Sequence, residues 1–151
     1  TTLVKSHRCP RCICDFASLI MPQYPEMKSV KENSQQEHCL LIKNCDVGNY
    51  VDRFNPVALI WNNKALKNIH PNIKQRYNMG EVKGLDFPNV IVYPTENMLT
   101  WINNTTKQLA DETRAKLYVA VTRAEITIGI IVPDDFCLPS ESMLQFWSNP
   151  D

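Results

Sequence analysis

Four short apolar runs constrain this chain more than anything else in it: "HCLLIK" (38–43), "VALIW" (57–61), "VIVY" (90–93) and "ITIGIIV" (126–132). None alternates apolar with polar residues, so a strand made from any of them has to be covered on both faces. Stretches with helical spacing lie among them. "CICDFASLI" carries Ile13, Phe16, Ala17 and Ile20, and "DETRAKLYVAVTRA" carries Leu117, Val121 and Ala124. Interior strands separated by helices predict an α/β fold with a mostly parallel sheet and helices on both faces. In such a sheet the functional loops are expected at the carboxyl ends of the strands.

The remaining stretches are expected to connect these elements. Thr2 to Val4 reads as a short strand, with a turn at Cys9 and Pro10 before the first helix. Pro22 to Gln36 is polar and reads as a surface connection, and Gly48 to Phe54 as a short helix. "NNKALKNIHPNIKQRY" has sparse apolar positions and predicts a short surface helix ended by His70-Pro71. Asp111 is expected to N-cap the helix that follows it, with Glu112 and Lys116 paired four apart on its wet side. "PSESMLQFW" predicts a closing helix, with Ser140 as its cap.

Composition bounds the function class. The 151 residues, 44% hydrophobic and 21% charged, suit one globular domain spanning 1–151. Lys and Arg total 16 and Asp and Glu total 16, so any contact with a polyanion has to be local. No apolar run reaches the roughly 20 residues of a membrane span, and the start "TTLVKSHRCP" lacks the apolar core of an export signal. A soluble cytoplasmic protein with its six cysteines as thiols is the expectation. The chain opens without an initiator Met, directly into a strand-like run, which suggests a piece of a longer polypeptide.

Two stretches carry candidate chemistry. In "KGLDF", Lys83 to Phe87, Gly84 permits a tight turn or a close backbone approach, and Asp86 can accept from a sugar hydroxyl. A strand-entry turn with a solvated Lys and Asp is the plainer explanation. In "KLYVAVTRAE", a largely apolar helix finishes on Thr122 and Arg123. A cation there also has a structural use, because it complements the helix dipole.

Taken in order, "KSHRCPRCICDFA", "KGLDFPNVIVYPT" and "AKLYVAVTRAEITIGIIV" resemble motifs IV, V and VI of the second RecA-like domain of UvrD/Rep-like superfamily 1 DNA helicases. Leu117 to Ala124 reproduce the family's Leu-Tyr-Val-Ala-x-Thr-Arg-Ala, and Asp86 stands for the Glu of Lys-Gly-Leu-Glu-Phe. The resemblance implies a second motor domain that supplies the far wall of an ATP site shared with a first RecA-like domain. Arg123 and Arg8 would then act on the γ-phosphate in catalysis. His7, Gly84 and Asp86 would contact the nucleotide, and Lys83 and Thr122 would face single-stranded DNA. The implied cofactors are ATP and Mg²⁺, bound only in the full-length protein, and the implied partners are single-stranded DNA and the first RecA-like domain. The rigid helix base would project Arg123 into the cleft.

This chain departs from the pattern in three places. Ser6-His7-Arg8-Cys9 stands where the family commonly has Asn-Tyr-Arg-Ser, Asn78 and Gly80 replace a Thr and a His before motif V, and no large inserted subdomain fits between motifs IV and V. No Gly-x-x-x-x-Gly-Lys-Ser/Thr loop occurs, so the chain lacks its own Walker A motif and is expected to be inactive alone. Two other readings are available from the residues. His7, Cys9, Cys12, Cys14, His38, Cys39 and Cys45 include enough soft ligands for zinc, with packing as the alternative and no metal expected. Trp61, Tyr93, Trp101 and Trp147 could stack on bases in a module that binds DNA or a partner with no nucleotide role, although core packing accounts for them more simply.

Overall fold

The computed structural model describes residues 3–6, 11–21, 26–29, 39–61, 69–104, 109–137 and 144–147, with backbone alone for the two N-terminal strands. The elements are β1 (Leu3–Ser6), α1 (Arg11–Ile20), β2 (Glu26–Ser29), β3 (Cys39–Lys43), α2 (Val47–Phe54), β4 (Val57–Ile60), β5 (Arg76–Asn78), β6 (Phe87–Val92), α3 (Glu96–Asn103), α4 (Asp111–Thr122), β7 (Ala124–Val132) and β8 (Gln145–Phe146). Strands β5-β4-β6-β7-β3-β8 form one six-stranded sheet in which every pairing is parallel. β1 and β2 pair in parallel as a separate two-stranded sheet.

Alternate residues of each strand point to opposite faces, and the apolar runs divide accordingly. Leu41, Leu59, Val90, Val92, Ile128 and Ile130 face a core filled by Ile13, Phe16 and Ile20 of α1, Met98 and Trp101 of α3, and Leu117, Ala120 and Val121 of α4. Leu40, Ile42, Ala58, Ile60, Ile91 and Ile131 face the other core, against Val47, Tyr50 and Val51 of α2, with Trp147 closing it. Helices therefore cover both faces, as unalternated apolar strands require. Gly129 faces α2. A Cβ there would lie 2.8 Å from Ile42 Cγ1 and 3.1 Å from Tyr50 Cζ, so the glycine lets the tyrosine ring lie on β7.

The two cores are tied to helix ends by polar groups. Arg114 on α4 donates from Nε and Nη2 to the Ile20 carbonyl at 3.1 and 3.0 Å, satisfying the last turn of α1. On the opposite face, Asn89 Nδ2 donates to the Phe54 carbonyl at 3.1 Å, in the last turn of α2. Asn89 Oδ1 accepts from Thr127 Oγ1 at 2.7 Å, so the buried 2.8 Å contact between Tyr50 and Thr127 has the phenol as donor. The chain of donors runs from Tyr50 through Thr127 and Asn89 to the end of the same helix.

Several expectations are corrected. β2 lies within the stretch read as surface connection, and β5 within the polar stretch after Trp61. Their short length and polar residues leave no strand signal. Gln145 and Phe146 pair beside β3 instead of belonging to a closing helix, and Ser140 lies outside the described residues. α3 was not foreseen, although its N-cap is conventional, with Thr95 Oγ1 accepting from Met98 N at 3.2 Å. Asp111 is the first residue of α4 rather than its cap, which is Ala110, and an acid in the first turn suits the helix dipole. β6 begins at Phe87, ahead of the expected Val90. Pro88 sits at the register shift against β7, where a missing donor is tolerated. The surface helix expected after Trp61 falls mostly on 62–68, outside the described residues.

Candidate functional site

The "KGLDF" stretch forms a tight turn. Leu85 N donates to the Val82 carbonyl at 3.0 Å across Lys83 and Gly84, and Gly84 has φ +90. No other residue of the turn has positive φ, so this is a type II turn with the glycine in the position that demands it. The turn delivers Leu85 and Asp86 to the start of β6. Lys83, Gly84, Leu85 and Asp86 are all exposed.

Next to it, α4 ends at Thr122 and passes through Arg123 into β7. Phe87 pairs with Ala124, and Phe87 N donates to the Arg123 carbonyl at 2.9 Å. The side chain makes a second link, with Arg123 Nη1 donating to the Leu85 carbonyl at 3.3 Å. Arg123 Nη2 donates to Thr122 Oγ1 at 3.2 Å, and the Thr122 hydroxyl itself donates back to the Tyr118 and Val119 carbonyls at 2.9 and 3.1 Å. A directed set of hydrogen bonds thus fixes the guanidinium between the end of α4 and the glycine turn.

This arrangement brings Lys83, Gly84, Asp86, Thr122 and Arg123 into one pair of adjoining loops, at the amino ends of β6 and β7. The two candidate stretches thus lie on the rim opposite the carboxyl ends, where functional loops were expected. Both stretches precede their strands in sequence, and parallel pairing puts all such approaches on one rim. Two side chains sit differently from the expectation. Arg123 is 8% exposed and lies along the turn instead of extending from the rim. Thr122 is buried and its hydroxyl is turned to Arg123, so it positions the arginine. His7 and Arg8 lie outside the described residues. The Leu85 carbonyl, which receives the guanidinium, had no sequence signal, because any residue supplies one.

The other candidate groups are packed into the fold. Cys14 and Cys39 are buried in the core under α1 and α4, while Cys45 and Cys137 are exposed. Among the described residues no three His, Cys, Asp or Glu side chains converge as a metal site would need. His7, Cys9 and His38 fall outside them. Trp101 and Trp147 are 5% and 9% exposed and pack in the two cores, and the half-buried Tyr93 hydroxyl accepts from His70 N at 2.9 Å. Trp61 is half-buried, with Lys116 Nζ 4.2 Å from its ring centroid. Among the described residues no helix is long and apolar enough to cross a membrane.

No family model and no curated protein matches the sequence. Solved structures do match. The chain is similar to the nsp10 helicase of PRRSV, with a TM-score of 0.55 and 19% identity over 93% of this chain and 27% of that one. An arterivirus nonstructural protein 10 helicase matches with a TM-score of 0.51 and 22% identity over 87% of this chain and 25% of that one. The C-terminal domain of a possible DNA helicase from Lactobacillus plantarum matches with a TM-score of 0.52 and 18% identity over 89% of this chain and 91% of that one. The chain thus spans only 27% and 25% of the two viral helicases. What these likenesses share with the all-parallel sheet described above is architecture: the chain has a RecA-like α/β fold of the kind found in helicase domains.

Proposed function

We propose that this chain is the second RecA-like motor domain of an ATP-dependent DNA helicase or translocase of the UvrD/Rep kind, working within a longer polypeptide. The observation that carries the reading is the bond from Arg123 to the Leu85 carbonyl, which joins the loops resembling motifs V and VI on one rim. A cation and the exposed Asp86 carboxylate on the same pair of loops suit a nucleotide held opposite them. ATP with Mg²⁺ supplies the phosphoryl group whose transfer drives motion, and its phosphate loop and metal ligands would belong to the first RecA-like domain.

Within this chain, Arg123 has the task of meeting charge that develops on the transferred phosphoryl group. A phosphate oxygen is a stronger acceptor for a guanidinium than the Leu85 carbonyl, because the bond is charge-assisted. Closure of the two domains would draw the side chain from its rest position, while Thr122 keeps the base of the arm fixed. Asp86 would accept from the ribose, Lys83 would meet the single strand, and His7 and Arg8 would complete the site as motif IV does. An arginine so placed is worth about 10³ to 10⁵ in rate.

The test is Arg123→Ala and Arg123→Lys in the full-length parent. Both variants should lose DNA-stimulated ATP hydrolysis by about 10³ or more while ATP binding persists, since Lys keeps the charge but not the planar fork. The burial of Arg123 favours a second reading, a DNA- or partner-binding module without a nucleotide role whose arginine only clamps the turn. On that reading Arg123→Ala lowers thermal stability and leaves turnover per folded molecule unchanged.

A further inference from the structure

The amino ends of β4 and β5 carry a groove that the proposed motor role does not use. It encloses about 580 Å³ between the last turn of α2 and the loop leading into β5, and is lined by Val51, Asp52, Asn55, Pro71, Asn72 and Lys74. Both walls are braced. Ile69 and Ile73 are buried in the core with α2, Ile73 N donates to the His70 carbonyl at 3.1 Å, and the Tyr93 hydroxyl accepts from His70 N. His70 Nδ1 accepts from Asn72 N at 3.2 Å, which holds the turn that presents Pro71 and Asn72. Opposite it, Asn55 takes a left-handed conformation with φ 49, and its N–H closes on the Val51 carbonyl at 2.8 Å.

Asp52 breaks a local rule. It lies in the last turn of α2, where the helix dipole opposes an anion. Asn72 Nδ2 donates to Asp52 Oδ1 at 3.3 Å, joining the two walls, and among the described residues neither Asp52 nor Lys74 has an ion-pair partner. Both are exposed. A solvated carboxylate elsewhere on the helix would need no explanation, whereas one set against the dipole at the wall of a groove is the kind of local conflict that marks functional sites.

We propose that this groove binds a guanine nucleotide, with Asp52 reading the base and Lys74 meeting the phosphate. The ligand has to bring N–H donors to the carboxylate and an anion to the ammonium. Among the nucleobases guanine alone presents two adjacent N–H donors on one edge, and a carboxylate accepts both as it accepts an arginine fork. The long bond from Asn72 occupies one of roughly four lone-pair sites and leaves the others to the base. Asn55 and Asn72 add amide donors and acceptors, Val51 and Pro71 add apolar surface for the ring faces, and small-molecule sites span about 300 to 1,000 Å³. An arginine side chain would satisfy Asp52 and be repelled by Lys74. A free mononucleotide and a guanosine within a strand offer the same chemistry. None of these residues belongs to the two candidate loops, so the groove works whatever the role of Arg123.

The test is calorimetric titration of this chain with guanosine 5′-monophosphate and adenosine 5′-monophosphate, with amide shifts read at Asn55, Asn72 and Lys74. The guanine nucleotide should bind about tenfold more tightly. Asp52→Asn should abolish that preference and raise the thermal midpoint, because it deletes an anion from the negative end of a helix. Lys74→Gln should weaken the nucleotide about tenfold and leave guanosine itself unaffected. An oligothymidine carrying one guanosine separates the sources: competition with the mononucleotide assigns the groove to a strand, and no competition assigns it to the free nucleotide. Equal affinity for the two nucleotides, no binding at millimolar concentration, parent affinity in Asp52→Asn, or binding of an arginine-bearing peptide in place of the nucleotide would each overturn the proposal. So would affinity lost on Asp86→Asn in place of Asp52→Asn, which would move the nucleotide to the candidate loops, whose own role is read by turnover in the full-length parent.

Discussion

Tyr50 shows how one hydroxyl constrains titration as well as packing. Its phenol is buried and donates toward Thr127, and burial pushes its pKa well above the ordinary 10.0. The neutral form is the one the fold accepts. Its contribution to stability is therefore fully present below pH 10, where folded and unfolded chains are both protonated. Above pH 10 the unfolded chain ionises and the folded one does not, so stability falls with a slope of about 1.4 kcal/mol per pH unit from this group. Tyr50→Phe should cost about 1 kcal/mol at neutral pH by removing the donor to Thr127. It should also flatten the alkaline decline, measured by urea unfolding at pH 8 to 11, and an unchanged slope would assign that decline to other groups.

At the scale of elements, polar groups at helix ends add to the apolar packing that holds the helices on the sheet. Arg114 closes the carbonyl end of α1, Asn89 closes that of α2, and the end of α4 is fastened to the glycine turn through Arg123. Arg114→Met keeps the stem packed and removes both bonds to Ile20, so it should cost about 1 to 2 kcal/mol. The loss should be concentrated in α1, read as faster amide exchange over Ile13 to Ile20 with little change in β6 and β7. Uniform acceleration through the sheet would mean that α1 and the sheet open as one unit. The two candidate loops are built in the same way: both are short, each enters an interior strand directly, and the register shift at Pro88 lets β6 start early enough to meet Arg123.

For the whole molecule, the shared-cleft reading together with a net charge of zero predicts how the chain behaves alone. It should not hydrolyse ATP, and its binding to single-stranded DNA should be weak and fall steeply between about 50 and 200 mM salt. Measurable turnover by the purified chain would show a complete site and refute the shared-cleft reading. Tight binding that ignored salt would refute a local cationic contact.

The sequence by itself determined the layered α/β architecture, because an unalternated apolar strand is stable only with a layer on each face, and it marked the turn at Gly84 and the helix ending on Thr122-Arg123. It could not display β2, β5 or β8, whose few residues gain strand geometry only from the neighbour they pair with. Tertiary structure alone decided which rim carries the two candidate loops and that Arg123 rests on the Leu85 carbonyl, since a parallel register and a backbone acceptor leave no mark on residue identity.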